Sequence, residues 1–148
     1  MVETLALLAA TVAFCVVSGF VPFVNTELYL IVVAVEAPVA ALPLVVVAAA
    51  AGQTIAKAAM FGAAHRAGRF YKPTLLGRWH AKVASWRRRP YWVVFVSAVA
   101  GVPPLYVVSV LAGAIRIPFR GFVVATFVGR LLRFAACVSA PFLAKLFL

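Results

Sequence analysis

The chain has 148 residues, 66% of them hydrophobic and only 11% charged, with a mean hydropathy of +1.11. A soluble domain of this size cannot hide that much apolar surface, so lipid is its solvent and one small membrane domain is what the length allows. The formal net charge of +11 does not point to nucleic acid, because the basic residues cluster between Arg66 and Arg89 and at the ends of apolar segments, where they mark a cytoplasmic side.

The N-terminus carries Glu3 where a signal peptide has a basic region, and it lacks a clean small-residue cleavage site. Residues 4–21 are therefore expected to be retained structure. They read as one apolar helix that runs to a break at Pro22. The stretch Ser18 to Leu30 then sets the polar trio Asn25, Thr26 and Glu27 inside a hydrophobic region. A carboxylate there is costly in lipid and marks a functional site with a partner to be found. Non-helical backbone at membrane depth survives only where it is buried in protein or lines a cavity. The stretch reads as the tip of a re-entrant hairpin. A helix over 28–36 rises roughly 14 Å, about half of a hydrocarbon core, and does not cross alone. Residues 4–21 are long enough to cross fully or to form a hairpin leg, and both readings stand.

Residues 38–64 are apolar apart from Gln53 and Lys57 and are long enough to cross, with Pro38 and Pro43 suited to the first turns. The small residues Ala48 to Gly52, Ala56, Ala58 and Ala59 read as packing positions. Residues 65–89 hold eight Lys/Arg and no acid. Within them Leu75, Leu76, Trp79, Val83 and Trp86 recur at helical spacing. That pattern fits an interfacial helix on an anionic leaflet, or equally an ordinary positive-inside anchor. His65 and His80 have no partner pattern. Cys15 and Cys137 read as buried small hydrophobes.

Residues 91–115 repeat the opening theme. An apolar run meets a break at Gly101, Val102, Pro103 and Pro104, and an apolar run follows. Were this segment to cross, Arg116 and Arg120 would lie outside, against the positive-inside tendency. A re-entrant hairpin returns both to the basic side. A final helix over about 119–147 then crosses outward. The expected fold is an all-α integral membrane protein of one domain, with two inverted repeats, each a re-entrant helical hairpin followed by a transmembrane helix. Residues 1–64 form the first repeat, 65–90 a basic cytoplasmic loop and 91–148 the second repeat. Paired interrupted segments in such halves point to a transport site near the midplane.

The charged residues carry the site. Arg130 lies ten residues beyond Arg120, roughly 15 Å deeper along a helix, and Arg133 is one turn further on much the same face. Lys57 lies roughly 13 Å from Arg66 by the same rise. Glu27 is expected to pair with one or more of these three cations. Counting Glu36 as well leaves one positive charge in excess, a seat for a lipid phosphate. No nucleophile–base set, metal cluster or glycine-rich phosphate loop appears, so neither an enzyme nor a metal or cofactor is expected.

Together, SGFVPFVNTELYL, Gly52-Gln53, GVPPLYVVSVLAGAIRIPFRGF and VGRLLRF resemble the DedA/VTT superfamily of membrane proteins, especially its short, YqaA-like branch. The resemblance covers nearly the whole chain and rests on the order of these motifs. It implies two membrane-embedded hairpins facing each other. It also implies a role in moving lipids between leaflets, as a phospholipid scramblase or a recycler of polyprenyl-phosphate carriers. Glu27 would be the acidic residue of the first hairpin. Longer members carry a further acid where this chain has Val16 and Val17, and arginines where it has Ser97 to Gly101 and Pro103-Pro104. A proton-coupled mechanism resting on those residues does not carry over.

The expected function is a membrane lipid transporter or scramblase for phosphate-headgroup lipids in the plasma (inner) membrane. Its binding residues would be Asn25, Thr26, Glu27, Gln53, Lys57, Arg130 and Arg133, and its hairpin breaks Pro22, Gly101, Pro103 and Pro104. Its partners would be anionic or phosphate-headgroup membrane lipids, not nucleic acid, and so small a core invites a second copy in a homo-oligomer. The rival readings are a non-transporting assembly or envelope-integrity protein and a small ion or solute transporter.

Overall fold

The computed structural model describes residues 2–21, 24–68 and 88–147, with side chains as far as Ala144. Pro22 and the segment from Leu75 to Trp86 lie outside the described residues. The described residues form helices and no strand. Helix α1 covers Val2–Phe20 and α2 Thr26–Glu36. A short 3₁₀ turn at Val39–Ala41 leads into α3, Leu42–Ala67, and places Pro43 in its first turn, where a missing N–H costs nothing. Helices α4 (Pro90–Ala100), α5 (Leu105–Ala114) and α6 (Phe119–Phe147) complete the chain.

Three of these helices are long and apolar enough to cross a membrane: Val2–Phe20, Val39–Ala67 and Phe119–Ala144. Large apolar side chains are exposed along them and along the shorter helices, among them Leu28, Val32, Ile55, Trp92, Val124 and Leu132. In water such a surface would drive association; in lipid it is the solvated face.

Two breaks in the chain matter for the site. At the first, the Asn25 side chain caps α2, its Oδ1 accepting from the backbone N–H of Glu27 at 3.0 Å and of Leu28 at 3.3 Å. Such a cap contributes on the order of 1 kcal/mol. At the second, Gly101 ends α4 in the left-handed region at φ 79°, which glycine adopts without penalty. Ser97 Oγ donates to the Pro103 carbonyl at 2.5 Å. Pro103 and Pro104 bring no donor of their own, so the helix cannot continue through them.

Helix α3 packs along α1 and α5, and α6 packs along α4, α3 and α2. Within each broken pair the helices touch little, α1 on α2 least of all. Glycines set the close approaches. A Cβ on Gly52 would press on Val12 and Cys15 of α1, and one on Gly129 would press on Phe95 and Ala98 of α4. These contacts fix direction. Gly19 lies against Ala56, so α1 ends beside the middle of α3, while Gly113 lies against Phe61 and Ala64 near the end of α3.

The packing yields two apolar cores. One joins Leu30, Val33 and Ala34 of α2 to Leu42, Val45 and Val46 at the start of α3 and to Phe134 and Val138 of α6. The other joins Phe61 near the end of α3 to Val94, Ala98, Leu105, Val108 and Phe122. Along α3 the order is first core, Gln53 and Lys57, then second core. Along α6 it is second core, Arg130 and Arg133, then first core. A polar layer therefore lies between the two.

Candidate functional site

The polar layer lines a partly open cavity of about 340 Å³ where the two helix breaks face each other. The first break brings Val24 to Glu27 to its wall, and the second brings Gly101 and Pro104 to Tyr106. Gln53 and Lys57 of α3 and Arg130 and Arg133 of α6 complete the lining. All seven binding residues expected from the sequence are thus gathered in one place, although α2 and α6 are separated by most of the chain.

Their roles in the folded chain differ. Gln53 is buried, and its Nε2 donates to Ser18 Oγ at 2.9 Å and to Thr26 Oγ1 at 2.8 Å; the two hydroxyls also bond each other at 2.7 Å. This trio ties the end of α1 to the start of α2. The Asn25 oxygen is engaged as the helix cap and the Thr26 hydroxyl in the trio. Replacing Gln53 by Leu removes the side chain that, among the described residues, bonds both hydroxyls. The expected loss is on the order of 1 kcal/mol, the low end of the range, because the hydroxyls keep each other. A thermal melt in detergent against wild type measures it; an unchanged midpoint would mean that the trio contributes nothing.

Lys57 is 5% exposed. Its Nζ donates to the Gly19 carbonyl at 2.5 Å, at the end of α1. Arg133 does the equivalent at the end of α4, where Nη1 donates to the Val99 carbonyl at 2.9 Å. Both cations sit on the negative end of a helix dipole. Arg133 also reaches across to α2: its Nε donates to Glu27 Oε1 at 2.6 Å, and its Nη2 pairs with the same oxygen. Of the three partners the sequence allowed for Glu27, Arg133 is the one that bonds it.

Arg130 is different. Its Nε is buried with no hydrogen-bond partner among the described residues, and its guanidinium stands 5.7 Å from the Phe134 ring centroid. A buried donor left unmade costs roughly 1–3 kcal/mol, and more when charged. The charge count needs one correction. Glu36 is exposed at the far end of α2, about 13 Å along the axis from Glu27, and does not line the cavity. Lys57, Arg130 and Arg133 therefore face Glu27 alone, which leaves an excess of two positive charges in place of one.

Sequence reasoning did not single out Ser18, Leu105, Tyr106 or Phe134. Ser18 carried a signal, a lone hydroxyl beside Gly19 in an otherwise apolar helix. The other three look like ordinary core residues until the breaks are brought together.

A family model described as the VTT domain matches residues 5–140. The chain belongs to the VTT-domain family. Comparison with curated proteins and with solved structures gives no match. Family and apolar helices together make the protein an integral membrane protein, and the membership accords with a transporter-like role.

Proposed function

We propose that this VTT-domain protein moves phosphate-headgroup lipids, either phospholipids or polyprenyl-phosphate carriers, between the leaflets of the plasma membrane, without enzymatic chemistry. The observation that carries the reading is the net-positive polar cavity between two helix breaks, with a buried Arg130 donor that no described residue satisfies. An anionic oxygen there would satisfy the guanidinium and offset the excess charge. The lipid tails would stay outside, against the exposed apolar faces.

The architecture behind this reading is a pair of inverted repeats, residues 1–64 and 91–148, each a re-entrant hairpin followed by a crossing helix. Several correspondences support it. Helix α3 packs on α1 through Gly52 as α6 packs on α4 through Gly129. Lys57 holds the end of α1 as Arg133 holds the end of α4. One pair opens toward the start of α3 and the other toward its end. Arg66, Arg88, Arg89, Arg116 and Arg120 are exposed around that second end, which favours placing residues 65–90 in the cytoplasm.

The test is lipid flipping in proteoliposomes with short-chain phospholipid and polyprenyl-phosphate probes. Flux above protein-free liposomes, lost in folded Arg130→Ala, is the expected result. No flux with either probe from folded protein would overturn the reading. The non-transporting alternative would then take its place, since Lys57 and Arg133 already lock helices together.

A further inference from the structure

We infer that Arg133 is a latch between the two helix breaks: its hold on Glu27 keeps the breaks together beside a partly open cavity, and they part when that hold is released. On the transport reading above, which this inference rests on for its purpose, the latch is the gate through which a headgroup enters.

Among the described residues, Arg133 is the side chain that bonds both breaks, through Glu27 at the start of α2 and the Val99 carbonyl at the end of α4. Neither pair has much packing between its own two helices; each is held by packing on α3 and α6, and the first break also by Gln53 through Ser18 and Thr26. Lys57 holds only the first break to α3. Gly101 makes room for the latch, because a Cβ there would stand 2.8 Å from Arg133 Nη1. The guanidinium lies over the break where any larger residue would push it away.

The link is also built to let go. Glu27 and Arg133 keep 36% and 23% of their side-chain surface exposed, so the pair is neither sealed in a core nor lost in bulk solvent. Both Arg133 nitrogens meet the same carboxylate oxygen. That is a weaker arrangement than the two-oxygen fork that guanidinium and carboxylate form at their strongest. A fully buried ion pair would be costly to open, and a fully exposed one would hold nothing. This one lies between.

The experiment reads water access and needs no transport. In a Cys15→Ala, Cys137→Ala background, Ser18→Cys places one thiol at a buried cavity position. Labelling by a water-soluble maleimide is followed in lipid nanodiscs, which expose both faces. The expected result is slow labelling that Glu27→Gln and Arg133→Gln each speed by about tenfold or more, and that the swap Glu27→Arg with Arg133→Glu slows again. Unchanged rates in the single variants would overturn the latch. So would an equal rise in Arg130→Met, which would mean general loosening. Should Arg133→Gln not fold, the near-isosteric Glu27→Gln decides alone. Flux measured on the same proteins reports separately on transport: its absence sinks the transport reading and leaves the latch standing or falling by its labelling.

Discussion

On the transport reading proposed above, Arg130→Met is expected to abolish lipid flux while making the protein more resistant to heat. The two effects share a cause. Arg130 holds a buried Nε without a partner among the described residues and a guanidinium over the Phe134 ring. A cation–π contact of this kind returns roughly 0.5–2 kcal/mol. Replacing a buried ion pair by apolar side chains of similar volume is often neutral or stabilising by about 1–4 kcal/mol, and a single half-buried cation belongs at the low end of that range. Methionine is unbranched and fills the same channel. The net expectation is a gain on the order of 1 kcal/mol, read as a higher melting midpoint in detergent. The substitution also lowers the cavity's excess charge from two to one, leaving Lys57 and Arg133 opposite Glu27. Both of those cations are bonded to protein groups. A headgroup would then meet no uncommitted cation. A variant that flips lipid normally would remove Arg130 from the path. One that melts earlier would mean that the guanidinium has a partner in the membrane that stabilises the resting protein.

Helix boundaries and breaks were largely legible because their causes are local. Gly101, Pro103 and Pro104 forbid a continuous helix whatever surrounds them, and the interruption between α4 and α5 falls on them. Glu27 was legible as a residue needing a partner, since its cost depends only on depth in an apolar stretch. Which cation answers it was not. Helical periodicity puts Arg130 and Arg133 on neighbouring positions of α6, but the rotation of α6 against α2 decides which one reaches Glu27. That rotation follows from packing 106 residues away in sequence. The same limit applies to Glu36. In sequence it is simply the next acid after Glu27, and only the straight run of α2 carries it away from the cavity. The trio of Ser18, Thr26 and Gln53 was half legible: Gln53 is a costly residue in an apolar helix, whereas its partners are hydroxyls that could have bonded their own backbone.

Gly113→Ala and Gly62→Ala should move stability in opposite directions, although each adds one methyl group to a helix. At Gly113 the new Cβ would run into the Phe61 carbonyl oxygen and come within 3.0 Å of Ala64 Cβ and 3.1 Å of the His65 nitrogen. Two of those atoms are the backbone of α3 and cannot rotate aside, so α5 must be displaced from α3. Overpacking of this kind costs about 1–3 kcal/mol and occasionally more. The upper part of that range is expected, because α5 has little packing on its own pair partner to retain it. At Gly62, in α3, nothing lies within 4 Å of the added carbon. The change there acts through the backbone alone, where alanine is favoured over glycine in a helix by roughly 0.5–1 kcal/mol. Melting midpoints of the two variants, each against wild type, measure the contrast. A gain at Gly113 would mean that α5 does not approach α3 as described. A loss at Gly62 would mean that something packs on that open face in the membrane, and a second copy of the chain would be the first neighbour to test, by whether the loss disappears on dilution.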